Sequence, residues 1–404
     1  MLKKQISVDE LRYGMYVSEL DRPWTDTPFV FQGFLLRTPT QLETLRRYCK
    51  HVFVDVERSA GPDDKRLTGV GAASAGHEPV RGTADYPMLA GLESEFEHAR
   101  HVYAESLALV EDIIRSAHTG EVLDSRRVRE AASRITETIV RNPDALMLVS
   151  RLREKGPLTL MRALDVSIYM VVFGRFLQLP REDLELLGML GLLQDVGKVR
   201  LPNELLEKKG QLTPEERALA RRHVEYSVDI LRDTPGMPPR LIELVPLHHE
   251  RQDGSGYPLG LKGPEIGLYG SLAGIVDTFD ALTTMRPYAE QMSPSNALGL
   301  LYKERGSHFH PALVEQFIQC IGIFPVGSVV ELNTGEVGIV IAQNLVRRLK
   351  PRVMVVLDAD GRPMRPHKIL DLVKEPKASA DEPYHIRRTL EHSKVQLDPR
   401  EFFL

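Results

Sequence analysis

The 404-residue chain is 42% apolar and 27% charged, with a net charge of −4. That is apolar material for two or three globular domains of about 100–200 residues each. The slightly acidic balance excludes a general binder of nucleic acid or of anionic membrane. The one basic stretch, Arg347-Arg348-Leu349-Lys350-Pro351-Arg352, has no interleaved aromatics and reads as a solvated loop between strands. Cys49 and Cys320 lie far apart and form no CxxC motif, as expected of free thiols in a reducing compartment. Lys3-Lys4 runs into the polar Ser7-Val8-Asp9-Glu10 instead of an apolar core, and no apolar run reaches the roughly 18 residues of a membrane span. A cytoplasmic location is the expectation.

In chain order, residues 1–60 predict a small α+β domain, with a helix over Thr40–Cys49 and a strand over Val52–Val56. Residues 61–90 are rich in Gly, Ala, Pro and Ser and predict a flexible linker. Connecting helices follow over 91–140. One apolar stripe runs through Leu92, Phe96, Ala99, Tyr103, Leu107, Val110 and Ile114, and another through Val128, Ala131, Ile135 and Ile139, stopped by Asn142-Pro143. Within 141–325, helices are predicted over 158–178, 181–196, 214–232, 238–250, 270–285, 295–305 and 311–321. The start at Thr213-Pro214-Glu215-Glu216 combines a cap, a first-turn proline and a capping-box glutamate. After Pro325 the period falls to two. Val329–Leu332, Val337–Ile341 and Val353–Leu357 predict a β extension of three or four strands over 326–375, followed by a loosely ordered tail over 376–404.

The residues that carry chemistry are Asp195 and Lys198, then His223, His248-His249 and Asp277. Imidazoles and carboxylates are the usual ligands of catalytic iron, manganese or zinc. A carboxylate such as Asp195 can bridge two metals about 3.5–4 Å apart in a phosphoryl-transfer site, and a helical bundle can converge such side chains on one cavity. Two consecutive histidines splay apart and can reach different metals. Asp253, Gly254 and Gly256 then make a turn of little bulk. Tyr257-Pro258 sets an aromatic on a stiff strut, available to a base or to a partner's apolar residue.

The run His248-His249-Glu250-Arg251-Gln252-Asp253-Gly254-Ser255-Gly256-Tyr257-Pro258 resembles the HHExxDGxGYP signature of the HD-GYP family. The resemblance continues through Asp277-Thr278-Phe279-Asp280-Ala281-Leu282-Thr283 and Arg286-Pro287-Tyr288, and covers about 140–325. The segment before it, with Leu11–Val17 and Leu20–Trp24, looks like the uncharacterised domain that often precedes HD-GYP in bacteria. The resemblance implies a mainly α chain: an HD-superfamily helical bundle with a small N-terminal α/β domain and a short C-terminal β extension. It also implies metal-dependent hydrolysis of cyclic di-GMP. Asp195, His223, His248, His249 and Asp277 become the expected metal ligands, and Lys198, Tyr257 and Arg286 the nucleotide contacts. Asp195 and Lys198 carry the catalytic expectation. Asp253, Gly254, Gly256, Tyr257 and Pro258 become a loop on which a diguanylate cyclase domain could dock, with Tyr257 as its exposed anchor.

The sequence departs from that pattern at the metal site. The name-giving His-Asp doublet is Gln194-Asp195 here. A neutral amide oxygen is a weak ligand. A second family histidine is Arg162, which has no lone pair to donate, and Leu158 stands where trinuclear members place a glutamate. A basic residue common after Arg-Pro-Tyr is Ala289. One metal position is therefore reduced to Asp195 and Asp277, while the other keeps Asp195, His223 and one or both of His248 and His249. Arg162 is expected to pair with Asp195 or Asp277 in place of a cation. The expected cofactor is one divalent transition metal, iron or manganese, or none. The expected function is a degenerate cyclic di-GMP signalling protein that binds nucleotide or a partner. The alternative is a phosphodiesterase working through a reduced metal site.

Overall fold

The computed structural model describes residues 3–22, 27, 29, 34–55, 79–152, 158–208, 210–284, 292–344, 347–379 and 382–390. At the N-terminus, β1 (Lys3–Ser7), β2 (Tyr16–Leu20), β3 (Phe34–Leu35) and β4 (His51–Asp55) form an antiparallel sheet in the order β1-β4-β2-β3. Helix α1 (Pro39–Tyr48) starts at a Thr38–Gln41 capping box. Its Leu45 packs with Val17, Leu36, Val52 and Val54 in a separate small core.

The expected linker is a different object where it is described. Residues 79–90 lie against the helical domain as a strap. Gln316 exchanges two hydrogen bonds with the Val80 backbone, and the Tyr86 hydroxyl donates to the Leu179 carbonyl at 2.7 Å. The Arg175 guanidinium donates to the Tyr86 carbonyl, also at 2.7 Å. Composition alone does not reveal this, because backbone groups and a few polar side chains make the contacts. The remainder of that expectation, over 61–78, lies outside the described residues.

The central body is helical: α2 (Leu92–Thr119), α3 (Ser125–Arg141), α4 (Pro143–Leu152), α5 (Leu158–Phe176), α6 (Arg181–Leu193), α7 (Asn203–Leu206), α8 (Pro214–Arg221), α9 (His223–Arg232), α10 (Pro239–Leu244), α11 (Gly267–Thr283), α12 (Pro294–Lys303) and α13 (Pro311–Ile321). One apolar core runs through them, centred on residues such as Phe173, Phe279, Phe317, Leu164 and Ile168.

Three predicted helices are shorter or broken, and each break serves the site. The helix predicted over 181–196 ends at Leu193, and a 3₁₀ turn, Val196–Arg200, takes over. The helix predicted over 214–232 splits at Arg222, where the His223 ring takes the Ala220 carbonyl at 2.7 Å. The helix predicted over 238–250 ends at Leu244, because Pro246 has no N–H to continue the ladder. His248 and His249 therefore sit in a turn rather than in a helix.

The C-terminal sheet has the antiparallel order β8-β7-β6-β5-β9, with β5 (Val329–Leu332), β6 (Val337–Ala342), β7 (Arg352–Leu357), β8 (Pro363–Asp371) and β9 (Ile386–Leu390). Alternation along β6 and β7 sends Ile339, Ile341, Met354 and Val356 into the helical core and Val340, Val353 and Val355 to the opposite face. β9 corrects the reading of 376–404 as a tail: its polar Arg387 and Arg388 pair with Glu331 across the strand, so pairing rather than apolar content holds it.

Close packing around the site depends on two glycines. A Cβ on Gly191 would collide with the Ser167 backbone, so glycine lets α6 lie against α5. A Cβ on Gly197 would collide with the His223 carbonyl and the Ser227 amide, so glycine lets the 196–200 turn rest on the start of α9. The Ser227 hydroxyl locks that contact, accepting from the Gly197 amide and donating to the Gln194 carbonyl. The Gly197→Ala variant is expected to lose about 1–3 kcal/mol of stability by overpacking, read by urea unfolding, and to bind metal more weakly because Asp195 and His223 move apart.

Candidate metal centre and nucleotide pocket

Four elements deliver the site. Asp195 precedes the 196–200 turn, His223 opens α9, His248 and His249 occupy the turn after 245–247, and Asp277 and Asp280 lie one turn apart on α11. One ligand atom each from Asp195, His223, His248 and His249 lies within 4.8 Å of the others. His223 Nε2 is 3.2 Å from Asp195 Oδ1, and His248 Nε2 is 3.7 Å from the same oxygen.

The donor set fits a transition metal. His223 Nδ1 donates to the Ala220 carbonyl and His248 Nδ1 to the Val245 carbonyl at 2.6 Å. Those bonds fix the tautomer, so both Nε2 lone pairs face Asp195, the arrangement by which metal-binding histidines are oriented. His248 is fully buried, and its Nε2 has no hydrogen-bond partner, nor has Asp195 Oδ1. Burial, together with the neighbouring His248 and His223, holds His249 well below the usual imidazole range, so its lone pair is available. Asp195 is held well below the usual carboxylate range: burial opposes ionisation, and the Lys198 ammonium is the largest of the influences that outweigh it. Lys198 Nζ donates to Asp195 Oδ2 at 2.5 Å.

Asp277 lies beside this cluster and outside it. Its Oδ1 accepts from Arg162 Nη2 at 2.5 Å and from Gln194 Nε2 at 3.1 Å. Its Oδ2 is 4.0 Å from His249 Nδ1. Arg162 is 14% exposed, and its Nε stands 3.8 Å from Asp195 Oδ2 and 3.6 Å from Asp280 Oδ2. Burial disfavours the guanidinium, yet Asp277, Asp195 and Asp280 raise its pKa above the ordinary arginine value. Asp280, buried and pushed up to about 7 by burial against the pull of Arg162, was not singled out in the sequence. Its three-residue spacing from Asp277 on α11 was the available signal. The side chain of Leu158, together with Arg286 and Ala289, lies outside the described residues.

The signature loop is organised by its glutamate. Glu250, 3% exposed, accepts from the backbone amides of Leu259 at 2.7 Å, Gly260 at 3.2 Å and Leu261 at 3.0 Å. Asp253 closes the turn by accepting from the Ser255 amide and hydroxyl. Gly254 takes φ +81°, which favours glycine, and a Cβ on Gly256 would strike the backbone of residues 249–251.

Tyr257 corrects an expectation. Its ring is half-buried rather than exposed. It stacks on His249, centroids 4.6 Å apart, and the Arg221 guanidinium covers it at 4.7 Å. Burial, with Asp195 and Asp277 nearby, raises its hydroxyl pKa. The tyrosine thus belongs to the pocket wall. The exposed part of the loop is Asp253, Ser255, Pro258 and Leu259, the last 62% exposed. Arg221 had no sequence signal, because α8 reaches the loop only through the break at Arg222.

An HD domain family profile matches residues 109–313, a domain of unknown function (DUF3391) matches 3–128, and a KOW domain associated with HD domains matches 329–385. A cyclic di-GMP phosphodiesterase of Pseudomonas aeruginosa is 34% identical over 91% of this chain and 89% of its own length. A 3'3'-cGAMP-specific phosphodiesterase of Vibrio cholerae is 35% identical over 38% of this chain and 30% of its own. A solved HDG"Y"P protein from Bdellovibrio bacteriovorus superposes with a TM-score of 0.47 at 15% identity, covering 78% of this chain and 98% of that one. No helix among the described residues is long and apolar enough to cross a membrane.

The Glu250→Ala variant is expected to free the 259–261 amides. Hydrogen–deuterium exchange there should speed up by about tenfold or more, since bonds to a charged acceptor are among the stronger ones, while exchange in α5 stays unchanged.

Proposed function

We propose that this chain, which belongs to the HD-GYP family of cyclic di-GMP phosphodiesterases, binds cyclic di-GMP over a single divalent transition metal and hydrolyses it weakly or not at all. The observation that carries this reading is the different fate of two neighbouring carboxylates. Asp195 faces the lone pairs of His223 and His248, whereas Asp277 Oδ1 is taken by a guanidinium and an amide.

Asp195, His223, His248 and His249 would hold the metal, a donor set that suits a transition metal; iron or manganese is what the family resemblance implies. Bound there, it supplies Lewis-acid stabilisation of phosphate charge. The chain's own residues do the rest. Lys198, beside Asp195, offers a point charge to a phosphate oxygen. Tyr257 and Arg221 bound one side of the pocket, where a guanine base would have to displace Arg221 to reach the open ring face. Arg286 is proposed as a further phosphate contact, from the resemblance alone. Hydrolysis in a two-metal site relies on a second cation clamping the leaving oxygen. Here the donors on that side are engaged by Asp277, and each 1.36 kcal/mol of lost stabilisation is about tenfold in rate.

A second reading, an active phosphodiesterase working through the reduced metal site, is favoured by the completeness of the four-ligand cluster and by the activity named for the 34%-identical relative. Docking of a diguanylate cyclase domain stays a proposal. It would use the exposed Pro258 and Leu259 rather than Tyr257.

Elemental analysis of anaerobically purified protein is expected to find about one iron or manganese per chain, lost in Asp195→Ala. Calorimetry is expected to show cyclic di-GMP binding, weakened by about 1–3 kcal/mol in Tyr257→Ala, the range of a buried aromatic anchor. Two or more metals with brisk turnover would overturn the binding reading; slow turnover abolished by Asp195→Ala would establish the second one.

A further inference from the structure

We infer that Arg162 is a resident cation: its guanidinium occupies the second cation position of the pocket and makes that half of the site independent of metal. The inference deepens the one-metal reading above and rests on it.

The argument starts from charge. Asp195, Asp277 and Asp280 bring three carboxylates into a buried space, with side-chain exposures of 15%, 5% and 0%. Ionised carboxylates at such depth need a counter-charge. Lys198 serves Asp195 Oδ2. Among the described residues, Arg162 is the cation with ion-pair contacts to all three carboxylates. Its Nη2 makes a true hydrogen bond to Asp277. Its Nε, 3.6–3.8 Å from Asp280 and Asp195 and without a hydrogen-bond partner, acts on them as charge alone. Several anionic oxygens around one centre is the company a metal ion keeps.

Gln194 completes the replacement. Its amide nitrogen donates to the same Asp277 oxygen, and its own Oε1 is buried without a partner. Asp277 Oδ1 thus receives two N–H donors where a ligand would present a lone pair to a metal. Asp277 stands outside the four-ligand cluster, its other oxygen 4.0 Å from His249 Nδ1. The two substitutions act as a unit: arginine brings the charge, and glutamine fixes the carboxylate that receives it. Gly191 lets α6, which Gln194 follows, lie against α5, which carries Arg162.

The reciprocal prediction is that restoring imidazoles reopens a metal site. In the double variant Arg162→His, Gln194→His, two imidazoles join Asp195 and Asp277, a full set of four donors for a transition metal. Manganese binding by calorimetry, with metal content checked by elemental analysis on the full chain, is expected to rise from one equivalent in wild type to two. In excess chelator, the Arg162→Met variant is expected to melt about 5 °C or more below wild type, because a buried carboxylate cluster has lost its counter-ion. Arg162→Lys is expected to recover most of that loss, since it keeps the charge. A double variant that still binds one equivalent overturns the inference. So does an Arg162→Met protein as stable as wild type in chelator. If Arg162→Met does not fold, the metal count of the double variant decides. A wild-type protein that itself binds two equivalents removes the one-metal reading instead, so the two failures are distinguishable.

Discussion

Asp195 is the constraint on which the pocket depends. One carboxylate faces an ammonium, two imidazole lone pairs and a guanidinium. Its position is set by a helix that ends at Leu193 and by a 3₁₀ turn pressed onto α9 through Gly197. Because burial works against its charge, the surrounding cations must be held in place for it to ionise. The packing that holds them is therefore part of the electrostatics. Ser227, which touches no ligand, matters because it ties the Gly197 amide to the Gln194 carbonyl and so fixes both sides of Asp195.

The helix breaks show the same coupling from the other direction. His223 and His248 each take a backbone carbonyl three residues back, at 2.7 and 2.6 Å. A carbonyl engaged by a ring is drawn away from a regular helical ladder, and both sites coincide with irregular backbone. The reward is a defined tautomer and ring angle at each histidine. Glu250 does for the signature loop what these carbonyls do for the rings: a single buried carboxylate gathers three consecutive amides that would otherwise need solvent.

Much of this was legible in the sequence. The change of period after Pro325, the capping box at Thr213, the apolar stripes of α2 and α3 and the mainly helical body are local signals, and local signals survive folding. The resemblance to the HD-GYP signature pointed to Asp195, His223, His248 and His249, which the structure brings together, and to Asp277, which lies beside them. What was not legible depends on contacts between distant segments. Residues 79–90 read as linker because their partners are Gln316, Arg175 and the 177–179 backbone. β9 read as tail because its partner, Glu331, is more than fifty residues away. Tyr257 read as exposed because its cover, Arg221, arrives from α8. Asp280 was overlooked for a different reason: nothing in its neighbourhood announces that Arg162 and Arg151 face it from two other helices.

In the proposed function, the division between the two halves of the pocket also separates binding from catalysis. A fixed guanidinium presents nearly the same charge to a bound phosphodiester and to its transition state. Interactions of that kind strengthen binding without raising turnover. Accelerating the chemical step needs stabilisation that grows as charge develops on the leaving oxygen, and a metal with an open coordination position supplies it. A guanidinium has no coordination position to offer: Arg162 Nη2 donates to Asp277 and its Nε faces Asp195 and Asp280. Replacing a metal by arginine therefore keeps the carboxylates neutralised and the pocket formed while removing the part that responds to reaction. In the proposed one-metal function, the imidazole cluster and the ordered loop serve to hold a ligand, and the Arg162–Asp277 pair keeps the other half of the pocket formed.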